Sequence, residues 1–233
     1  MPEEWHAGFI LRRRPWRESS LWLEAFTCDL GKVALLAKGG RRNKKGKGGA
    51  LQPFQPLLLR WRGKGELLTL ISTEALRPAF PLVGTALYCG FYLNELLSRL
   101  LKRHDPHPEL YACYQNTLDE LAQNHDLESC LRKFEVRFLK EIGYSLILDH
   151  EVEYGAAIEP TTLYRYDPER GPILDPLGWL HGQTLLALAE GRLESAAVRQ
   201  EAKRLLRQLI DYRLEGQVLE SRMLFRRKKD HDL

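Results

Sequence analysis

The sequence predicts an α+β multidomain chain, with a small closed β-barrel followed by α-helices that carry a small β-rich insertion. Three observations predict it. Short β-type runs separated by glycine-rich turns fill residues 1–78, and after Pro78 and Pro81 the apolar residues change to a helical period. Residues 144–183 then lose that period around a hairpin signal, before a last helical run.

The strands come first. Trp5 to Arg14 is a strand candidate ending at Pro15, and Ser20 to Cys28 is rich in aromatic and aliphatic residues. Asp29-Leu30-Gly31-Lys32 supplies turn chemistry, with Gly31 able to take positive φ, and Val33 to Ala37 returns as the next strand. Gln52 to Trp61 and Glu66 to Thr73 flank Gly63-Lys64-Gly65, a second hairpin signal. Five short strands in so few residues fit a closed barrel better than an open sheet, because closure removes exposed edges. An OB-fold barrel over residues 1–78 is the natural candidate.

The helices follow. Leu93, Leu96, Leu97, Leu100 and Leu101 form one stripe, and Tyr111, Tyr114, Leu118 and Leu121 form a second. Leu131, Phe134, Phe138 and Ile142 mark a third helix, with Gly143 in its C′ position. These make the first part of an α-helical domain, residues 79–143. Leu163 to Tyr166, followed by Glu169-Arg170-Gly171, predicts a hairpin in a small inserted subdomain at 144–183. Val198, Ala202, Leu205, Leu206 and Leu209 mark a further helix capped by Ser195, in a second helical part that spans 184–233 and ends in the basic run Ser221 to Lys229.

Charge narrows the function. The chain of 233 residues carries a formal +4, but residues 1–80 hold fifteen Lys and Arg against seven Asp and Glu, and the remainder holds 20 against 24. A positive first third joined to a mildly acidic remainder points to a polyanion partner for one part of the chain. No run approaches the roughly 18 apolar residues of a membrane helix, and the acidic start Met1 to His6 does not read as a signal peptide. Cys28, Cys89, Cys113 and Cys130 lack paired spacing, so reduced thiols in a cytoplasmic protein are expected, and no metal.

The segment Gly39 to Gly49 joins the third and fourth strands and holds five cations and five glycines in eleven residues. Glycine keeps the backbone adaptable while Arg41, Arg42, Lys44, Lys45 and Lys47 follow an irregular phosphate path, giving affinity without sequence readout. Arg12, Arg13, Arg14, Lys32, Lys38, Arg60, Arg62 and Lys64 lie on or beside the strands, and alternation should gather some on one face. The candidate DNA-binding set is Arg13, Arg14, Lys38, Arg60 and Arg62 with the five loop cations. Trp16, Trp22 and Trp61 are placed to stack on unpaired bases, though a ring in a barrel wall more commonly packs as core or cap.

Catalytic patterns are weak. A nucleotide-binding P-loop fails because the position five before Gly46 is Arg41 and Lys47 is followed by Gly48. The histidines show no ligand spacing. A nuclease would need acidic metal ligands beside the basic surface, where carboxylates are few. No catalytic residue and no cofactor is therefore expected. An OB barrel does not by itself choose DNA over RNA, so an RNA-binding protein of ribosome assembly or translation remains the alternative.

Residues 8–29, with Arg-Pro-Trp-Arg-Glu-Ser-Ser at 14–20, resemble the start of RecO proteins of the enterobacterial type. Val33 to Gly39, Ala50 to Leu57, Tyr92 to Leu97, Leu131 to Glu135 and Leu219 to Phe225 extend the resemblance in order along the chain. It implies a non-enzymatic recombination mediator that binds single- and double-stranded DNA and anneals complementary strands. It also implies action with RecR, and often RecF, to load RecA onto DNA coated by single-stranded-DNA-binding protein. Some relatives carry a four-cysteine zinc site in the inserted segment, but residues 144–183 contain no cysteine. The acidic C-terminal tail of single-stranded-DNA-binding protein is expected to dock on the helical domain, with Arg132 and Lys133 meeting its carboxylate and Leu131 and Phe134 lining an apolar slot.

Overall fold

A computed structural model describes residues 4–40, 49 and 51–229; the side chains of 226–229 are excluded from that description. Strands β1 (His6–Trp16), β2 (Ser20–Thr27), β3 (Gly31–Ala37), β4 (Leu57–Arg62) and β5 (Leu67–Ala75) close into a barrel in the order β1-β2-β3-β5-β4. Antiparallel pairing joins every neighbour except β3 and β5, which run parallel. This is the expected OB-like barrel, and its interior is filled by one inward residue in two, including Ile10, Leu23, Leu35, Leu57, Leu59 and Leu70.

Two strand limits differ from the sequence reading. β1 runs through Pro15, which pairs with Leu21. Beyond Gly8 this strand pairs with β2 alone, so its other edge is open and a residue without an N–H is tolerated. The predicted strand from Gln52 begins only at Leu57, after Pro53 and Pro56. The Gly31 expectation holds: its φ is +66°, and a Cβ there would lie 2.1 Å from the Asp105 carbonyl oxygen.

The chain divides into two compact units, residues 1–123 with 219–233, and residues 124–218. In the first, helices α1 (Gly84–Leu100) and α2 (Pro108–Gln123) cover part of the barrel's outer wall. Phe9 points outward, fully buried, with its ring 5.5 Å from that of Tyr111 and edge-on to Tyr114 at 5.1 Å. Removing such a ring from water contributes about 1.5–3 kcal/mol. Polar groups inside this contact are paired. Asn94 donates to the Leu11 carbonyl oxygen at 3.1 Å and accepts from the Tyr114 hydroxyl at 2.5 Å, and the Ser98 hydroxyl meets Glu24.

The second unit contains α3 (Leu127–Glu141), a sheet ordered β7-β6-β8 from β6 (Leu163–Asp167), β7 (Gly171–Leu174) and β8 (Leu180–His181), then α4 (Gly182–Glu190) and α5 (Ala196–Arg213). β6 and β7 form the expected hairpin. Helix α4 was not expected. Ser195 occupies the N-cap position of α5 but its side chain makes no capping bond. The basic run from Ser221 is helical, α6 (Ser221–Lys229), and belongs with the first unit. There Glu95 of α1 accepts from the Glu220 and Ser221 amides, supplying the cap that α6 lacks in its own sequence. Among the described residues no helix is long and apolar enough to cross a membrane, and no cluster of His, Cys, Asp or Glu is suited to hold a metal ion.

Candidate nucleic-acid interface

The β1–β2 hairpin carries three consecutive arginines on one strand, and the pairing sorts them. Arg12 faces Glu24, Arg13 faces the core residue Leu23, and Arg14 faces Trp22. All three guanidinium-bearing side chains are exposed. Arg13, at the open end of the barrel, donates to the Leu51 carbonyl oxygen at 3.4 Å, and Arg14 lies 4.3 Å from the centre of the Trp22 ring. Lys38, just past β3, is exposed, as is Arg62 at the end of β4. Arg60 is half-buried, held over Trp5 at 5.0 Å and donating to the Ser72 hydroxyl at 3.2 Å, while its Nε is buried without a partner.

Arg41, Arg42, Lys44, Lys45 and Lys47 lie outside the described residues. The segment that carries them leaves the described chain after Gly40, beside Lys38, and rejoins it at Leu51, to which Arg13 is bonded. Arg13, Arg14 and Lys38 therefore share one end of the barrel with the two ends of the basic segment. Strand β4 runs antiparallel to β1 and β3 and carries Arg62 past the His6 end of β1, toward the opposite end.

Other basic residues of the barrel are committed elsewhere. Lys32 is buried on the helix-covered wall, where its ammonium donates to the Ser98 carbonyl oxygen. Burial pushes its pKa down, opposed by the nearby Glu24 carboxylate. Trp61 is half-buried against the barrel core, with His6 stacked on it at 4.3 Å, so this ring serves packing. Trp16 and Trp22 are half-buried.

A second concavity lies in the unit 124–218, a groove of 320 Å³ between α3 and α4. Its lining includes Arg132, Lys133, Arg137 and Lys140 on α3 and Leu188 and Leu193 across from them. Arg132 is only 5% exposed, and its guanidinium is gripped by Glu135, 1% exposed, through contacts of 2.5 and 2.6 Å. Lys133 and Lys140 are exposed, and Arg137 pairs with Glu141 at 3.0 Å. Leu131 and Phe134 are buried, and Phe134 stacks on Phe138 with ring centres 5.9 Å apart. The groove's apolar side comes instead from Val136, Leu188 and Leu193.

Residues 1–79 match the family model for the recombination protein O N terminal, and residues 82–223 match that for its C terminal. The chain belongs to the RecO family. It is 49% identical over 221 residues to the DNA repair protein RecO of Methylococcus capsulatus, covering 94% of this chain and 91% of that protein. It is 44% identical over 230 residues to the DNA repair protein RecO of Nitrosospira multiformis, with coverage of 96% and 95%, and 42% identical to that of Marinobacter nauticus, with 94% and 92%. This RecO-family chain thus places Arg13, Arg14 and Lys38 at one end of its barrel, Arg62 toward the other, and Arg132 and Lys133 at a groove of the unit 124–218. Sequence reasoning missed Lys140, Leu188 and Leu193. The first had a signal, since Lys133, Arg137 and Lys140 fall at i, i+4 and i+7 on one helix face.

Proposed function

We propose that this RecO-family protein is a non-enzymatic mediator of recombinational DNA repair. It binds single- and double-stranded DNA at the barrel end, anneals complementary strands, and helps load RecA onto DNA coated by single-stranded-DNA-binding protein. The observation that carries the reading is the clustering of exposed Arg13, Arg14 and Lys38 beside both ends of the segment bearing five further cations. Annealing breaks no covalent bond. It requires two phosphate backbones to approach, which neutralisation by cations and release of condensed counterions favour. The protein works in the cytoplasm at the nucleoid, with RecR as partner and RecF where one is present.

The α3–α4 groove is the dock for the acidic, apolar-ended tail of single-stranded-DNA-binding protein. Lys133 and Lys140 offer exposed positive charge, and Leu188 and Leu193 offer an apolar floor. Arg132 is neutralised by Glu135, so the groove's positive charge comes from Lys133 and Lys140.

The test is a strand-annealing assay with complementary oligonucleotides, with and without single-stranded-DNA-binding protein, alongside binding titrations over a range of salt. Replacing Arg41, Arg42, Lys44, Lys45 and Lys47 by Glu lowers affinity and flattens the salt dependence, by about 0.7 in slope per lost phosphate contact on single strands. Unchanged affinity and slope remove the loop's role, and tighter binding of matched RNA than DNA moves the protein to the RNA-binding class.

A further inference from the structure

The strand registers align one row of side chains around the outside of the barrel. Arg14 pairs with Trp22, Trp22 with Leu36, Leu36 with Thr69, and Thr69 with Arg62. Residues directly opposite each other share a face of the sheet, so the row crosses all five strands. It is the outer face, because the sequence neighbours on either side of Trp22 and Thr69, namely Leu21, Leu23, Leu68 and Leu70, fill the barrel core. One row nearer the helices, Glu24 and Ala34 are paired and buried, with Ser98 of α1 bonded to Glu24. The helices cover the wall as far as that row and leave the next one open. Trp22, Leu36 and Thr69 are half-buried, and Arg14 and Arg62 at the two ends are exposed.

We propose that this belt is a stacking track for single-stranded DNA, in which an unpaired base lies on Trp22 while Arg14 and Arg62 take phosphates at either end. The proposal rests on the DNA-binding reading above. The belt holds two cations and no carboxylate, which fits a polyanion, and exposed Lys38 follows on β3 to extend the positive edge. The aromatic and aliphatic centre distinguishes single from double strands. A base inside a duplex has both faces covered by its neighbours, whereas an unpaired base has a π-face to give to Trp22. In the free protein the Arg14 guanidinium occupies the ring at 4.3 Å. An exposed cation–π contact is weaker than base stacking, so an arriving base takes the ring and releases the guanidinium to a phosphate.

The experiment measures affinity for an oligo-dT strand and for a hairpin duplex, using the full chain and its Trp22→Leu and Trp22→Phe variants. Leucine keeps an apolar side chain against Leu36 without a π-face, and phenylalanine restores a ring. Trp22→Leu weakens oligo-dT binding about tenfold and leaves duplex binding within about twofold, and Trp22→Phe recovers most of the loss. In parallel, photocrosslinking of iodouracil-substituted single strands to the unmodified protein labels the peptide containing Trp22. Wild-type affinity for oligo-dT in Trp22→Leu, or crosslinks confined to other peptides, overturns the track and leaves the DNA-binding reading standing. Equal loss on single strand and duplex overturns the single-strand selectivity. Failure of the unmodified protein to bind either DNA sinks both proposals together.

Discussion

Glu135→Ala removes the carboxylate that grips the Arg132 guanidinium and leaves a charge, 5% exposed, without its bidentate partner. Breaking one side of a buried ion pair costs about 3–5 kcal/mol, mostly through the desolvated charge left behind. The pair sits in the unit 124–218, and for a unit of about that size each kcal/mol moves the melting temperature by ~4–8 °C. Glu135→Ala therefore lowers the transition of this unit by at least about 12 °C in scanning calorimetry. The double variant Arg132→Met, Glu135→Leu removes both charges and costs clearly less than the sum of the single changes. A single variant that melts within about 3 °C of the parent, below even 1 kcal/mol on this scale, refutes the reasoning. So does a double variant as unstable as the sum. The same arithmetic decides how the groove is to be tested. Arg132→Glu sets a second carboxylate against Glu135 inside the unit, so lost peptide binding would report misfolding as readily as a lost contact. Lys133→Glu with Lys140→Glu changes only exposed side chains, and it weakens binding of the acidic tail peptide with the melting temperature unchanged.

Gly182→Ala tests the junction of β8 and α4. Its Cβ would stand 2.1 Å from the Glu159 carbonyl oxygen, so the unit melts lower by an amount on the order of 1–3 kcal/mol, and an unchanged melt contradicts the packing. Acid lowers the stability of the same unit. The Ser129 hydroxyl bonded to Asp126 and the Lys203 ammonium bonded to Glu128 hold both carboxyls below their ordinary values. For Glu201, burial alone would raise the pKa, but bonds from the His181 amide, the Thr184 hydroxyl and the His181 ring outweigh it. A depressed folded pKa contributes stability above the unfolded value, near 4, and loses it as pH falls through the folded one. Melting temperatures measured from about pH 5 to pH 3 therefore fall, and fall less steeply in Asp126→Asn, which keeps a capping acceptor without a titrating proton. Parallel curves for the two proteins exclude the Asp126 contribution.

The barrel was legible in the sequence because glycine turns and period-2 runs are local signals, and the error at Pro15 arose because an open edge is a property of the sheet. Helix α4 escaped because Gly182 to Glu190 is nine residues long with Leu and Ala on most sides, so no stripe stands out. The cations were legible as a count but not by role. Lys32 and Lys38 look alike in sequence, yet one is buried against Ser98 and the other is exposed. Arg132 and Glu135 stand at a pairing distance along a helix, but nothing local says that both are removed from water. Trp22 as an open ring depends on four strand registers at once, which turn lengths and bulges set and residue patterns do not reveal.

One irregularity in β1 decides which way its arginines point. Gly8, Phe9 and Ile10 pair with Thr27, Phe26 and Ala25, and then Arg12 pairs with Glu24, so Leu11 is an extra residue on that strand. Ile10 faces the barrel core. In a regular strand Arg12 and Arg14 would share its face and point inward, which their charge forbids. The bulge reverses the alternation, sending Arg14 outward beside Trp22 and leaving Arg13 at the barrel's open end, where Leu51 accepts its bond. The carbonyl of the bulged Leu11 is met by the Asn94 side chain of α1, itself buried and held by the Tyr114 hydroxyl. A buried amide bonded in this way fixes one arrangement of wall and helix, since displacing it would strand a carbonyl and a hydroxyl away from water. The helices that cover part of the barrel wall thus also hold the bulge that turns Arg14 toward the uncovered part.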